Sequence, residues 1–198
     1  MLLLDRWLGL ADRFSRWAVW FGGGLILASA FLVAVDVLLR KLFLVTVGGS
    51  DELSGYAFAI GTTWALGFTL LRRANVRVDA LYSRLPAALC AILDIAALLA
   101  LGLFVGLLSW QAWAVLDTSL AFNAKATTPL ATPLWMPQLL WLAGLALFIF
   151  TLVPLLLRAL LALLTGDLPA VRRLAGARTI EEDAADEAAH TASLKPRA

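Results

Sequence analysis

The sequence predicts an all-α membrane protein with four transmembrane helices, an N-terminal amphipathic helix at the membrane surface and a disordered C-terminal tail. Three observations carry that prediction. Apolar residues fill 62% of the 198 positions and charged residues only 15%, with a mean hydropathy of +0.87, whereas a soluble domain carries about 25% charged residues. Four uncharged runs approach or exceed the roughly 20 residues that cross a hydrocarbon core. The lysines and arginines also gather between alternate runs, as they do when the chain passes back and forth across a bilayer.

Residues 1–16, "MLLLDRWLGLADRFSR", place Leu3, Trp7, Leu10 and Phe14 on one helical stripe, with Asp5, Arg6, Asp12, Arg13 and Arg16 largely elsewhere. Such a helix lies in the interface plane or packs on a partner. The Asp-Arg pair recurs seven residues on, each copy followed by an aromatic.

A membrane domain follows over residues 17–165, with spans at about 17–44, 53–71, 87–116 and 135–164. The first begins at Trp17 and stays uncharged to Val35, before Asp36. Small residues in "LILASA" resemble a signal-peptide cleavage site, but the run continues past them and the upstream segment holds two aspartates, unlike an export signal. The second span, Leu53 to Leu71, is closed by "RRANVRVD". The third is uncharged from Ile95 to Leu116. The fourth has Pro137 near its start and Pro154 near its end, where a kink or a thinned turn is expected. Trp17, Trp20, Trp110, Trp113, Trp135 and Trp141 fall near span ends, as an interfacial aromatic belt requires, and Trp64 alone sits in mid-span. From Gly166 the hydropathy collapses, and residues 166–198 are assigned to a cytoplasmic, disordered tail.

Orientation follows from lysine and arginine alone. Three lie in the N-terminal segment, four in the loop after span two and six from Arg158 onward, against Arg40, Lys41 and Lys125 in the other loops. Both termini are therefore expected in the cytoplasm, with Arg72, Arg73, Arg77, Asp79 and Arg84 forming a cytoplasmic anchor. The basic residues sit in short clusters and the net charge is only +2, so no nucleic-acid footprint is present.

Ionisable residues near spans are candidates for function. Asp36 falls at the outer boundary, one turn from Arg40, and an i,i+4 pair is expected. Asp94 precedes a full-length apolar run and can reach Arg72, Arg73 or Arg84 at the inner headgroups. Gly102 and Gly106 have the spacing of a close helix-packing face. Other chemistries lack their residues. The single histidine, His190, lies in the tail, which excludes haem ligation within a span. The single cysteine, Cys90, supports neither an intrachain disulfide nor a cysteine metal site. No phosphate loop, nucleophile–base pair or polar midplane site is visible, so no cofactor, metal ligand, substrate ligand or catalytic residue is assigned.

"DVLLRKLF" at 36–43, "DELSGYAFAIGTTWALGFTLLRRANVRVDALYSRLP" at 51–86, the long third span and "TPLATPLWMPQLLWLAGLALF" at 128–148 together resemble the small membrane subunit, the Q-type or DctQ family, of tripartite ATP-independent periplasmic (TRAP) transporters. The chain departs from that family at Ala74 and Asn75, where a Gly and a His are common, and at Gly49 and Ser50, where an aromatic often stands. The resemblance implies four membrane helices, a bacterial inner-membrane location, and two partners: a large permease subunit that moves an organic anion by an ion-driven elevator motion, and a periplasmic substrate-binding protein. It implies a scaffolding role without substrate or sodium ligands. On that reading Arg40, Lys41, Asp51 and Glu52 form a periplasmic partner-contact surface. A different class remains open, an autonomous proton-coupled exporter that oligomerises and uses Asp36; a third is an assembly factor with no transport role.

Overall fold

The computed structural model describes residues 2–74, 85–176 and 184. Among the described residues all regular structure is helical: α1 (Leu2–Phe43), α2 (Ser50–Leu71), α3 (Ala87–Ala121), α4 (Trp135–Leu164) and α5 (Leu168–Ala175). The only β contact there is an isolated bridge between Lys125 and Pro133.

Among the described residues three helices, α1, α3 and α4, are long and apolar enough to cross a membrane, where the sequence predicts four. α2 has the length, 22 residues or about 33 Å, but Ser54, Gly55, Gly61, Thr62, Thr63, Gly67 and Thr69 dilute its apolarity. Packing explains the dilution. α2 lies between α1 and α4, and α4 in turn bridges to α3. A Cβ on Gly61 would come 2.8 Å from the Gly22 carbonyl oxygen of α1. One on Gly67 would come 3.0 Å from Ser15 Oγ and 3.3 Å from Thr151 of α4. A Cβ on Gly144 of α4 would come 2.6 Å from the Trp64 ring. A helix clasped on two sides needs small residues where the backbones approach. Its threonine hydroxyls donate to carbonyls within the helix, Thr62 to Phe58 at 2.7 Å and Thr69 to Leu66 at 2.8 Å, so these hydroxyls are satisfied without water.

α1 and α2 run antiparallel in one register. Asp36 meets Ser50, Gly22 meets Gly61, Ser15 meets Gly67, and Asp12 meets Arg72. Trp17, Phe21 and Trp64 form an aromatic cluster along this seam, with ring centroids 4.8–5.8 Å apart. The mid-span Trp64 thereby gains partners, and its Nε1–H donates to the Leu140 carbonyl of α4 at 2.8 Å.

The N-terminal segment departs from expectation. Residues 1–16 were assigned a separate helix in the interface plane, but α1 continues unbroken through Trp17 for 42 residues, about 63 Å and twice the hydrocarbon thickness. Its packing face is also not the apolar stripe. Leu3, Leu10 and Phe14 are exposed, whereas Ala11, Ser15 and Ala18 are fully buried. Only Trp7 of the expected stripe turns inward, against Phe150 of α4 at 5.6 Å. Small residues make the helix contact because they let the two backbones approach closely.

The tail was expected to be disordered from residue 166, yet α5 occupies Leu168–Ala175. Asp167 caps it by accepting from the Ala170 N–H at 3.0 Å, and Pro169 sits in its first turn. Val171 and Ala175 are buried against α3 and α4. A window-averaged hydropathy hides such a stripe beside Arg172 and Arg173. The remainder of the assigned tail, apart from residue 184, lies outside the described residues. α4 runs on past Pro154 to Leu164.

Candidate functional site at the loop end of the bundle

Two carboxylates organise the end of the bundle where α1 finishes and α2 begins. After Phe43 the chain reverses through Leu44 (φ 56°), Gly48 (φ 66°) and Gly49 (φ 88°), all left-handed. Asp36, two turns back on α1, faces the reversed segment. Its Oδ1 accepts from the Val47 N–H at 2.7 Å and the Thr46 hydroxyl at 2.9 Å. Its Oδ2 accepts from the Ser50 hydroxyl at 3.0 Å and Arg40 Nη2 at 2.6 Å. Four donors match the roughly four lone-pair sites of a carboxylate, which is what allows a residue 1% exposed to remain charged.

Glu52 does the same for the α3–α4 connection. That loop folds back on itself, with Ala126 N–H donating to Thr132 O at 2.9 Å and Leu134 N–H to Ala124 O at 3.0 Å. Its tip rests on the start of α2. The Thr128 hydroxyl donates to Glu52 Oε2, and Tyr56 donates to Oε1 at 2.9 Å. Leu130 fills the space over Gly49, where a Cβ would collide with its Cδ1. Glu52 precedes the uncharged run 53–71, and the Thr128 hydrogen bond holds its carboxyl below the ordinary value of 4.5.

The predicted partner-contact residues therefore divide. Arg40 is tied to Asp36 while its side chain stays 60% exposed, and Glu52 is engaged within the chain. Lys41 and Asp51 are exposed on the outside of the same end. The expected Asp36–Arg40 pair is present. The other three donors to Asp36 were missed, although "TVGGS" right after the helix, rich in hydroxyls and glycine, is the signal that could have found them. Among the described residues no group of three His, Cys, Asp or Glu could hold a metal.

Residues 29–162 match the family of tripartite ATP-independent periplasmic transporters, DctQ component. The chain belongs to the DctQ family. Both carboxylates and the two loops they hold lie inside the matched segment, whereas the first 28 residues and α5 lie outside it. Comparison with curated proteins and with solved structures finds no match. The DctQ family is one of transporter components, not enzymes.

At the opposite, terminal end, this DctQ chain uses the repeated Asp-Arg pair as a clamp. Asp5 pairs with Arg158 of α4. Asp12 pairs with Arg16 of its own helix and with Arg72, 3.6 Å away after α2. A seven-residue spacing puts both aspartates on one face of α1. Arg72 also lies over the Phe68 ring at 5.2 Å, and Arg73 donates to the Arg172 carbonyl of α5 at 3.4 Å. Asp94 is buried on α3. Arg77, Asp79 and Arg84 lie outside the described residues. Gly102 meets Leu152 of α4, with a Cβ 3.0 Å away, while Gly106 faces open space.

Proposed function

We propose that this DctQ component is the fixed small permease subunit of a TRAP-type secondary transporter. It scaffolds a large elevator subunit that takes up an organic carboxylate delivered by a periplasmic binding protein, driven by an ion gradient. The observation that carries this reading is how the chain uses its buried charge. Asp36 is saturated and Glu52 is engaged by intrachain donors that fasten two loops to one helix start, which makes a rigid cap and commits both carboxylates to structure instead of cargo. The exporter alternative needs Asp36 to exchange a proton, and four donors on its two oxygens oppose that.

On this reading α2 is the fourth crossing. It follows α1 antiparallel from Ser50 to Arg72, so a bilayer crossed by α1 over that length is crossed by α2 as well. Both termini then face the cytoplasm, the loop end is periplasmic, and Lys41 and Asp51 are the exposed charges available to the large subunit or the docked binding protein. The test is uptake by cells carrying the complete transporter. Lys41→Glu with Asp51→Lys is expected to cut uptake several-fold while the ranking of solutes stays unchanged. Wild-type uptake, or solute transport by the purified chain alone, defeats the proposal.

A further inference from the structure

Among the described residues α2 and α3 each pack chiefly on α4, which bridges them, and an apolar cleft of about 380 Å³ lies between them. Leu66 and Thr69 of α2, Ala97, Leu101 and Leu108 of α3, and Phe148 of α4 line it. Along α3 it extends from Ala97 to Leu108, about 17 Å at 1.5 Å per residue. That is close to half of the about 30 Å hydrocarbon core, the depth of one leaflet. Phe148 falls near the middle of α4, and Thr69 near the terminal end of α2, so the cleft occupies the leaflet on the terminal side.

The mouth of that leaflet is basic. Arg73 follows Thr69 by four residues, and its guanidinium reaches across to the Arg172 carbonyl of α5 at 3.4 Å, which itself packs on α3 and α4. Arg172 and Arg173 are exposed. Among the described residues the acidic groups at this end are Asp5 and Asp12, both in ion pairs, Asp167, which caps α5, and Asp94, which is buried. A greasy slot one leaflet deep beneath exposed arginines has the chemistry of a phospholipid site, since basic pockets between helices on the cytoplasmic side bind anionic headgroups.

We propose that the cleft holds an acyl chain of one anionic phospholipid of the cytoplasmic leaflet, with its phosphate at Arg73 and Arg172. The inference rests on the membrane orientation proposed above. The bound lipid would close the gap between α2 and α3 and complete the bundle.

The test is native mass spectrometry of the full chain, delipidated in mild detergent and titrated with dioleoylphosphatidylglycerol or dioleoylphosphatidylcholine. One phosphatidylglycerol is expected to bind about thirty-fold more tightly than phosphatidylcholine, the weight of two basic groups at a charged surface. Arg73→Gln with Arg172→Gln should remove most of that preference. Ala97→Trp, which blocks the slot, should weaken both lipids, with an unchanged unfolding midpoint as the control for folding. Equal binding of the two lipids, or undiminished binding by Ala97→Trp, overturns the proposal. So does a cross-link from a cysteine placed at Leu101 to the large subunit in the assembled transporter, because a partner helix then fills the cleft. Any of these results with wild-type uptake leaves the scaffold reading standing, whereas failure of the chain to enter the membrane with its termini inside removes that reading first.

Discussion

Replacing Gly22 by alanine tests the α1–α2 seam against a control one residue away. A Cβ on Gly22 would lie 2.7 Å from the Gly61 carbonyl oxygen and 3.0 Å from its Cα, while one on Gly23 meets nothing within 4 Å. Ordinary contact begins near 3.4 Å, so Gly22→Ala must part the helices by about 0.7 Å. Backbone atoms on both sides cannot rotate away. The separation also opens the Trp17–Phe21–Trp64 cluster, and overpacking of this kind costs about 1–3 kcal/mol. Gly23→Ala should be neutral or stabilise by up to about 1 kcal/mol, because alanine loses less backbone entropy in a helix. A difference of about 2–3 kcal/mol is therefore expected between the two variants. Reversible unfolding in mixed micelles, followed by tryptophan fluorescence, measures it. If the two variants unfold alike, α1 and α2 do not meet at these glycines, and the argument for α2 as a crossing fails with them.

Asp36→Ala should lower the unfolding midpoint and speed hydrogen exchange at the Val47 amide, whereas Arg40→Gln, which removes a largely exposed partner, should change both far less; equal effects would contradict the latch. Thr128→Val should make the 122–134 loop a preferred site of limited proteolysis without altering that of the 44–49 loop. Because the Glu52 carboxyl is held below 4.5, its contribution is complete above that pH and is lost as the pH falls through the lowered value. Protection of the loop should be flat from pH 7 to 5 and decline only below 4.5, and a loss near neutrality would be inconsistent. Asp5→Arg should loosen the N-terminal turns of α1 from α4, and the exchange Asp5→Arg with Arg158→Asp should restore them, as read by a disulfide trap across that contact. A double variant no better than the single one excludes the pair.

The sequence carried the helical architecture because long uncharged runs have few alternatives in lipid. It was less informative wherever packing used small residues. Leu3, Leu10 and Phe14 drew attention by size, yet Ala11, Ser15, Ala18 and Gly22 make the contact, and their signature is weak because alanine and glycine are common in every apolar helix. α2 shows the same conflict from the other side, since the glycines and threonines that suit it to a central position also lower the hydropathy by which spans are recognised. Asp36 was legible as half of a pair with Arg40. Its other donors come from residues 46–50, across a reversal whose left-handed turns at Leu44, Gly48 and Gly49 no helical periodicity encodes. Glu52 was placed among outward-facing residues because its partner, Thr128, lies 76 positions away.

Among the described residues the seam between α1 and α2 runs from Asp36–Ser50 to Asp12–Arg72, so the hairpin can zip together while the rest of the chain is still on the ribosome. α4 then arrives late, and Gly144 and the Leu140 carbonyl must find a groove and an indole already in place. Biogenesis would thus be templated rather than simultaneous, and errors made in the first seventy residues would be inherited by every helix that follows.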